Sequence, residues 1–522
     1  MDEFGVSVKL IMLVLNHGLG VAQLTDKSII IIGAGLGGLA TGCYGQMNGY
    51  KAKLFEMQDK PGGVCVSWQR KGYSFDYAIH NVFGVSTNPA YKTIYTQIWQ
   101  ELGALRETEA YSFKEFVQVE DSSGKTLTVY TDLNKLEQHL KELSPADSKL
   151  IEEFVKAAKQ FAGHDLFSAM TGGVGAKLKM LPLMGSLVKY SKIALRDYGQ
   201  QFTDPFLRKA FPTIQYDIQE APVLIPLIFL SVQSKGDGGW PIGGSMAFSR
   251  NIERRYLGLG GEISYRAKVK KIIVRDGKAV GVQLEDGSEH FADIVVSDAD
   301  GYSTIFSMLD GKYVNETINA YYKAYWKMQP FGLEVWYGVA MDLQGEPHAI
   351  VRFLDQPITI EGIARDRLDI EVFNFDPTIA PKGKTVVKVV FDSNYDYWNQ
   401  LAANSESYRA EKQKVADQIA EQLEKRFPGF QKNLEATDVV TPVSALHWTG
   451  AYRGCQAWGA PKEYQKEVAK NGVSKTLPGL ENFYMVGQWA GGTIGLSTVS
   501  LMGRDLIREL CKKDGKKFHT ST

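Results

Sequence analysis

A run of four isoleucines that breaks into a glycine-rich turn constrains the fold of this chain most strongly. Residues 28–44 read SIIIIGAGLGGLATGCY, with Gly33, Gly35 and Gly38 in a GxGxxG pattern. The β-branched run predicts a buried parallel strand, and the glycines predict a tight turn that opens a helix. A helix N-terminus attracts anions, and glycine lets a phosphate approach the backbone. Gly33, Gly35, Leu36 and Gly38 are therefore candidate phosphate contacts, although such glycines also serve in turns without a ligand.

The residues that follow extend this turn into a βαβ unit. Gly49 predicts the end of the helix, and AKLF at 52–55 predicts the second strand. Glu56 ends that strand about 20 residues after the glycines, where an acidic side chain binds the ribose of a dinucleotide. The unit predicts a dinucleotide site with an unphosphorylated ribose, which both NAD and FAD satisfy.

The composition permits a large enzyme and disfavours several other classes. The chain has 522 residues, of which 44% are hydrophobic, and its 59 basic residues equal its 59 acidic ones. Without excess positive charge, nucleic acid is not expected as a partner. The four cysteines form no CxxC pair and the eight histidines show no metal-ligand spacing, which predicts a reducing, cytoplasmic setting and no metal site.

Two apolar stretches raise the question of a membrane segment. Residues 8–24 read VKLIMLVLNHGLGVAQL, which is too short to span a bilayer, so 1–26 is interpreted as a leader of unclear role. A degenerate signal peptide and an upstream start are the alternatives. APVLIPLIFLSV at 221–232 is also short and contains two prolines, which predicts a buried wall.

Three separated regions together predict one dinucleotide-binding domain: 27–90, 238–305 and 471–515. In the second region, two Asp-Gly dipeptides punctuate three alternating strands and predict a three-stranded meander. The third region predicts a strand that runs into Gly487 and a helix that follows Gly495.

These regions resemble the FAD-dependent oxidoreductases of the phytoene desaturase type, a branch related to the amine oxidases that also contains carotenoid isomerases and retinol saturases. The resemblance covers nearly the full length of the chain. It rests on six features in order: the GxGxxG turn, Glu56, the Gly62-Gly63 pair, WPIGGS leading to GGEI and the meander, Thr441-Pro442, and NFYMVG. It implies an α/β fold in which a Rossmann-like FAD-binding domain, with a parallel sheet and an antiparallel meander, is interleaved with an α+β substrate domain.

The resemblance also implies which residues bind the FAD cofactor. Gly62 and Gly63 form a second glycine turn of the cofactor site. Gly487 lies against the pyrophosphate and ribityl chain, and the helix after Gly495 points at the flavin. Val269 contacts the adenine region through its backbone.

Two departures from the family pattern affect the expected surroundings of the flavin. Val64 stands where an arginine commonly follows the second glycine pair, and Gln488 and Trp489 stand where relatives often carry small or acidic residues. Flavin chemistry needs few side chains, because the protein chiefly positions the substrate. Gln488, Trp489, His80 and His447 are candidate catalytic neighbours, although each also suits a structural role.

The intervening regions, 91–237 and 306–470, form the predicted substrate domain. Three segments predict strands of a separate sheet: FGLEVWYGVAM, LDIEVFNFD and TVVKVVFDS. SESYRAEKQKVADQIAEQLEKRFPGF predicts a scaffold helix with one packed face. The basic and apolar segment around 177–196 suits an interface with anionic lipid, or equally a core-facing helix pair with a solvated basic side.

Three functions are compatible with these patterns. The favoured one is FAD-dependent chemistry on carbon–carbon bonds of a hydrophobic isoprenoid or polyene, as desaturase, saturase or isomerase, in the cytoplasm or at a membrane surface. The second is a flavin amine oxidase-like enzyme on a polar substrate, with Trp448, Tyr452 and Trp458 near the flavin. The third is a non-enzymatic prenyl-binding protein of GDI type.

Overall fold

The computed structural model describes residues 27–85, 93–105, 109–164, 178–217, 219–325, 332–455, 474–490 and 495–521. The leader 1–26, Lys177 and Trp458 lie outside these ranges. In chain order the strands are β1 Ser28–Ile32, β2 Lys51–Phe55, β3 Ser67–Arg70, β4 Tyr73–Asp76, β5 Val82–Phe83, β6 Ala110–Tyr111, β7 Glu115–Glu120, β8 Thr126–Tyr130, β9 Ile214–Asp217, β10 Gly238–Pro241, β11 Glu262–Ser264, β12 Val269–Arg275, β13 Lys278–Leu284, β14 Glu289–Phe291, β15 Ile294–Ser297, β16 Leu333–Val339, β17 Ala349–Ile360, β18 Ile363–Val372, β19 Thr385–Phe391, β20 Leu434–Val440 and β21 Phe483–Met485.

The α-helices connect these strands and cover the sheets. They are α1 Leu36–Met47, α2 Ile94–Glu101, α3 Leu133–Leu143, α4 Ser148–Ala162, α5 Met184–Tyr190, α6 Leu195–Gly199, α7 Pro205–Ala210, α8 Leu224–Gln233, α9 Gly244–Gly258, α10 Glu316–Tyr325, α11 Tyr395–Ala402, α12 Ser405–Arg426, α13 Pro442–Thr449 and α14 Leu496–Lys513.

A five-stranded parallel sheet holds the glycine turn and has the strand order β11-β2-β1-β15-β21. The central strand β1 is apolar throughout because both of its faces are buried. Ile29 and Ile31 pack in the core that contains α1 and α14, whereas Ile30 and Ile32 pack against β12 and β13. The sheet therefore lies between a helical layer and the meander.

The meander is the three-stranded antiparallel sheet β12-β13-β14. Its two turns coincide with the Asp-Gly dipeptides, and Gly277 and Gly287 have φ angles of 73° and 88°. Glycine adopts this left-handed conformation without the steric cost that a Cβ imposes. The predicted α/β fold, with a parallel sheet and an antiparallel meander, is confirmed.

A second sheet has seven strands in the order β20-β16-β19-β18-β17-β7-β8. The three predicted strand segments are β16, β18 and β19. One face of the sheet packs on α12, the predicted scaffold helix, through Val415, Ile419 and Leu423. The long strand β17 was not predicted, because charged residues and a proline interrupt its alternation and its pairing with β18 shifts between Phe353 and Ile358. The domain boundaries stay a prediction.

A helical layer covers the outer part of the seven-stranded sheet. The segment APVLIPLIFLSV contains α8, in which Leu227 and Leu230 are fully buried, so the predicted buried wall is confirmed. Within the described ranges, every helix is too short or too polar to cross a bilayer.

Candidate functional site

The first glycine turn joins β1 to α1 at the carboxyl end of the parallel sheet. The Gly33 N–H donates to the Phe55 carbonyl over 2.8 Å, and Gly33 has a φ of 95°. A Cβ on Gly38 would lie 2.2 Å from the Gly33 carbonyl oxygen, so glycine is required for the helix to start here. α1 begins at Leu36 and its N-cap residue, Gly35, has no side chain to satisfy the first N–H groups. This helix start is suited to an anion.

The second glycine turn packs directly on the first. The Gly62 N–H donates to the Ala34 carbonyl over 2.8 Å, and Gly62 forms an isolated β-bridge with Gly35. A Cβ on Gly63 would lie 3.4 Å from the Cα of Gly35. The two turns that the sequence predicts as cofactor contacts therefore lie side by side.

A third turn reaches the same place from the far end of the chain. β21 pairs with β15, and Gly487 follows it with a φ of 87°. A Cβ on Gly37 would lie 3.2 Å from the Gly487 nitrogen. The carboxyl ends of neighbouring parallel strands meet at one sheet edge, which is where open α/β sheets bind their ligands.

Asp298, which sequence reasoning missed, lies at the centre of these glycines. It directly follows β15, and its two carboxylate oxygens would be 2.5 Å from a Cβ on Gly35 and 2.4 Å from one on Gly37 or Gly487. Burial raises the pKa of Asp298 to about 7, against the effect of the Gly38 N–H. The feature of the sequence that could have identified Asp298 as a site residue is its position immediately after the buried strand β15.

Glu56 closes the other side of the glycine turn. Its carboxylate accepts from the Ala34 and Gln58 N–H groups, each over 2.8 Å. Burial raises its pKa, although these backbone donors act in the opposite direction. The Ala267 N–H donates to the Glu56 carbonyl over 2.8 Å, which places the start of β12, and with it Val269, beside this end of the site.

The predicted flavin end of the site is formed by the start of α14. Gly495 is its N-cap, with a φ of 121°, and the Ser497 hydroxyl donates to the Phe83 carbonyl over 2.9 Å. This contact holds α14 against β5, and β5 begins two residues after His80. Because β5 contacts the start of α14, His80 lies only two residues along the chain from a strand at the predicted flavin end.

His80, which is partly exposed, contacts a buried cluster of charged side chains on the seven-stranded sheet. Its Nδ1 pairs with Glu371 on β18, which also pairs with Lys388 on β19 over 2.7 Å. Burial alone would raise the pKa of Glu371, but His80 and Lys388 lower it to about 2. Burial raises the pKa of the neighbouring Glu334 to about 8, although Lys388 opposes this. Sequence reasoning missed Lys388 and Glu371, because it predicted their strands as part of the substrate-domain sheet without singling out any of their side chains.

An aromatic wall surrounds this cluster. The Lys388 ammonium lies 4.9 Å from the Trp336 ring centre. Trp336 stacks on Phe75 at 5.5 Å and on Phe373 at 5.7 Å, and it meets the edge of Trp68. The face of the sheet opposite α12 is therefore mainly apolar, with charged groups buried among the rings.

The remaining candidates are not in one cluster. Gln488 is partly buried and Trp489 is buried beside the meander core, directly after Gly487. His447 is exposed at the end of α13, which argues against a role in the site interior. Trp448 packs against Trp68, whereas Tyr452 packs against Tyr302, so these two aromatics lie in different clusters.

The residues present fit a dinucleotide cofactor. Three glycine turns leave a backbone-lined cradle at a helix N-terminus, and Glu56 offers a carboxylate where a ribose is expected. Gly33, Gly35, Leu36, Gly38, Gly62, Gly63 and Gly487 border this cradle. A protonated Asp298 can donate a hydrogen bond to an anionic pyrophosphate, whereas an ionised Asp298 repels it.

Residues 31–98 match the family model of NAD(P)-binding Rossmann-like domains. Over longer stretches the chain is similar to three curated relatives. It is 25% identical to a prolycopene isomerase of Daucus carota, covering 86% of this chain and 75% of the relative. It is 27% identical to a phytoene desaturase of Rhodobacter capsulatus, covering 79% and 80%, and 24% identical to an all-trans-retinol 13,14-reductase of Danio rerio, covering 93% and 87%.

Solved structures share the fold at much lower identity. A putrescine oxidase variant is 13% identical, covers 93% of this chain and 99% of its own, and has a TM-score of 0.59. A Rab GDI from Plasmodium falciparum is 11% identical, covers 94% and 99%, and has a TM-score of 0.51. The same fold therefore occurs in an oxidase and in a GDI. Over most of its length the chain is therefore similar in sequence to phytoene desaturases, prolycopene isomerases and a retinol reductase.

Proposed function

We propose that the protein binds FAD and uses it to change carbon–carbon bonds of a hydrophobic isoprenoid or polyene, by dehydrogenation, saturation or isomerisation. The observation that carries the proposal is the cradle of three glycine turns, which come from opposite ends of the chain and meet beside Glu56. The named relatives act on carotenoid precursors and retinol, which are long, conjugated and apolar. They support the substrate class.

The roles proposed for this chain's residues follow from their placement. Dehydrogenation removes a hydride equivalent and a proton from neighbouring carbons, and bound FAD supplies the hydride acceptor. The aromatic wall around Trp336 excludes water from the region. Glu371 orients the His80 ring through its contact with Nδ1, and His80 is the residue proposed to take or return the proton.

The test of this proposal has two stages. The purified protein is expected to show a flavin spectrum. Under anaerobic conditions a polyene is expected to bleach the oxidised flavin if the reaction is dehydrogenation, or to restore the colour of chemically reduced flavin if it is saturation, whereas putrescine does neither. His80→Gln should lower the rate of bleaching by about 100-fold or more, because positioned acid–base groups contribute this much, without changing flavin content. His164→Gln, at a partly buried histidine two residues after the end of α4, is the matched control. Bleaching by the amine alone would favour the amine oxidase alternative, and absence of flavin would favour the GDI-like one.

We also propose that the protein collects this substrate at an anionic membrane surface. The segment 178–192 carries four large apolar side chains that are 44–63% exposed: Leu178, Leu181, Met184 and Val188. Three of them recur at helical spacing on the outer side of the segment, whereas Leu183 and Tyr190 are buried against the neighbouring helices. Lys179 and Lys192 are exposed nearby. The exposed apolar side chains support the proposed lipid interface, and the buried ones show that the other side of the segment packs on the protein.

A further inference from the structure

The carboxyl group of Asp298 occupies the part of the cradle that a dinucleotide phosphate would approach. An anion held by the N-terminus of α1 lies beside Gly35 and Gly37. The oxygens of Asp298 already border both glycines, and they also border Gly487 on the opposite side. A pyrophosphate in this cradle would therefore be a direct neighbour of the carboxyl group.

The surroundings of Asp298 consist largely of backbone. The turn after β1, the first turn of α1 and the turn after β21 each present glycine to it. The ionisable neighbour that acts on it is Glu56, from the end of β2, and its negative charge raises the pKa of Asp298 further. Asp300, two residues along, instead accepts from the Ser303 N–H over 2.7 Å.

We propose that Asp298 is a cofactor-binding residue that carries a proton when the dinucleotide is bound. The neutral acid donates its O–H to a phosphate oxygen, whereas the ionised form repels the phosphate. Because burial already holds the pKa of Asp298 near 7, each binding event above that pH takes up one proton. Loading of the cofactor is then coupled to pH through this one side chain. The inference rests on the proposed binding of FAD.

The experiment measures FAD affinity of the full chain, freed of bound flavin, between pH 6 and 9. The dissociation constant of the wild-type protein should rise up to about tenfold for each pH unit above 7. Asp298→Asn, which keeps the shape and a donor, should give a flat profile and bind FAD at least tenfold more tightly than wild type at pH 8.5. Asp300→Asn is the matched control and should retain the wild-type slope.

Calorimetry in buffers of different ionisation enthalpy provides a second readout. Wild-type protein should take up about one proton per FAD at pH 8, and Asp298→Asn none. A flat wild-type profile, or an equal slope in Asp298→Asn, would overturn the inference and leave FAD binding intact. If Asp298 only caps α1 and does not contact the cofactor, Asp298→Asn would change the unfolding temperature but not the pH dependence of the FAD dissociation constant. If neither protein binds FAD at any pH, the proposed function fails as well.

Discussion

At the scale of single residues, the glycines of this site differ in what prevents a larger side chain. At Gly38 the obstacle is the backbone oxygen of Gly33, whereas at Gly35 it is the end of the Asp298 side chain, which can rotate away. Gly45 lies in the same helix, and a Cβ there would make ordinary contacts at 3.6 Å or more. Substitution by alanine should therefore have a different outcome at each of the three glycines Gly35, Gly38 and Gly45.

We expect Gly38→Ala to be the most damaging of the three alanine variants. It should lower the unfolding temperature and abolish retention of FAD, because neither backbone segment can move without breaking β1–α1 packing. Gly35→Ala should fold and lose FAD affinity. Gly45→Ala should be neutral or stabilise by about 0.5–1 kcal/mol, since alanine is favoured inside helices. Thermal unfolding and flavin content of the three proteins are the measurements. Equal behaviour of Gly38→Ala and Gly45→Ala would contradict the assignment.

At the scale of elements, alternation along β18 and β19 directs apolar side chains to α12 and charged ones to the opposite face. Ile370 and Val387 belong to the core around α12. Glu371 and Lys388 point the other way and are 8% and 0% exposed. Removing one partner of a charged pair that is buried this deeply leaves an uncompensated charge, which is strongly destabilising.

Lys388→Met should therefore destabilise the protein by about 3–5 kcal/mol, because Glu371 loses its fully buried cationic partner and keeps only the partly exposed His80. The double variant Glu371→Gln/Lys388→Met should cost less than the sum of the two single variants. Lys384→Met removes a partly exposed pair with Glu435 just before β19 and should cost about 1 kcal/mol or less. Urea unfolding midpoints check all four variants. If the cost of the double variant equals the sum of the costs of Glu371→Gln and Lys388→Met, the two side chains are not coupled.

Glu371, with His80 and Lys388 beside it, gives a pH dependence of stability with a defined sign. The pKa of Glu371 falls from its ordinary value of 4.5 to about 2 in the folded protein. Its contribution to stability is therefore complete above about 4.5 and is lost as pH falls towards 2. In the Lys388→Met variant this acid-induced loss should shrink, which unfolding curves between pH 5 and 2.5 would show.

At the scale of the whole molecule, the exposed apolar side chains concentrate on one segment. Leu181, Met184 and Val188 lie together, whereas the other large exposed groups, such as Leu257 and Phe291, lie elsewhere in the chain. Lys189 is paired with Glu153, and Arg196 with Glu220, so part of the basic charge is already neutralised. Apolar insertion should therefore contribute more to membrane binding than charge does.

Replacing Leu181, Met184 and Val188 with glutamine should lower binding to anionic liposomes by roughly 100-fold, at about 1 kcal/mol for each half-buried side chain. Leu257→Gln/Phe291→Gln is the matched control and should bind like wild type. Lys179→Gln/Lys192→Gln should weaken binding at low salt only. Sedimentation with vesicles of stated composition measures this, with flavin content as the check on folding. Wild-type protein that ignores anionic vesicles at low salt would rule out the membrane surface.

Local patterns in the sequence determined the parallel strand, the glycine turn, the meander and the helix on the seven-stranded sheet, because each depends on spacing within a few residues. The positions of Glu56 and the glycines around one turn were predictable for the same reason, and their roles as cofactor contacts stay a prediction. Asp298, Glu371 and Lys388 were not predictable as site residues. Their roles depend on neighbours more than a hundred residues away or on which face of a strand is buried. Only the tertiary structure placed a carboxylate between three glycine turns, because strand order in a parallel sheet is set by packing of distant segments and not by local pattern.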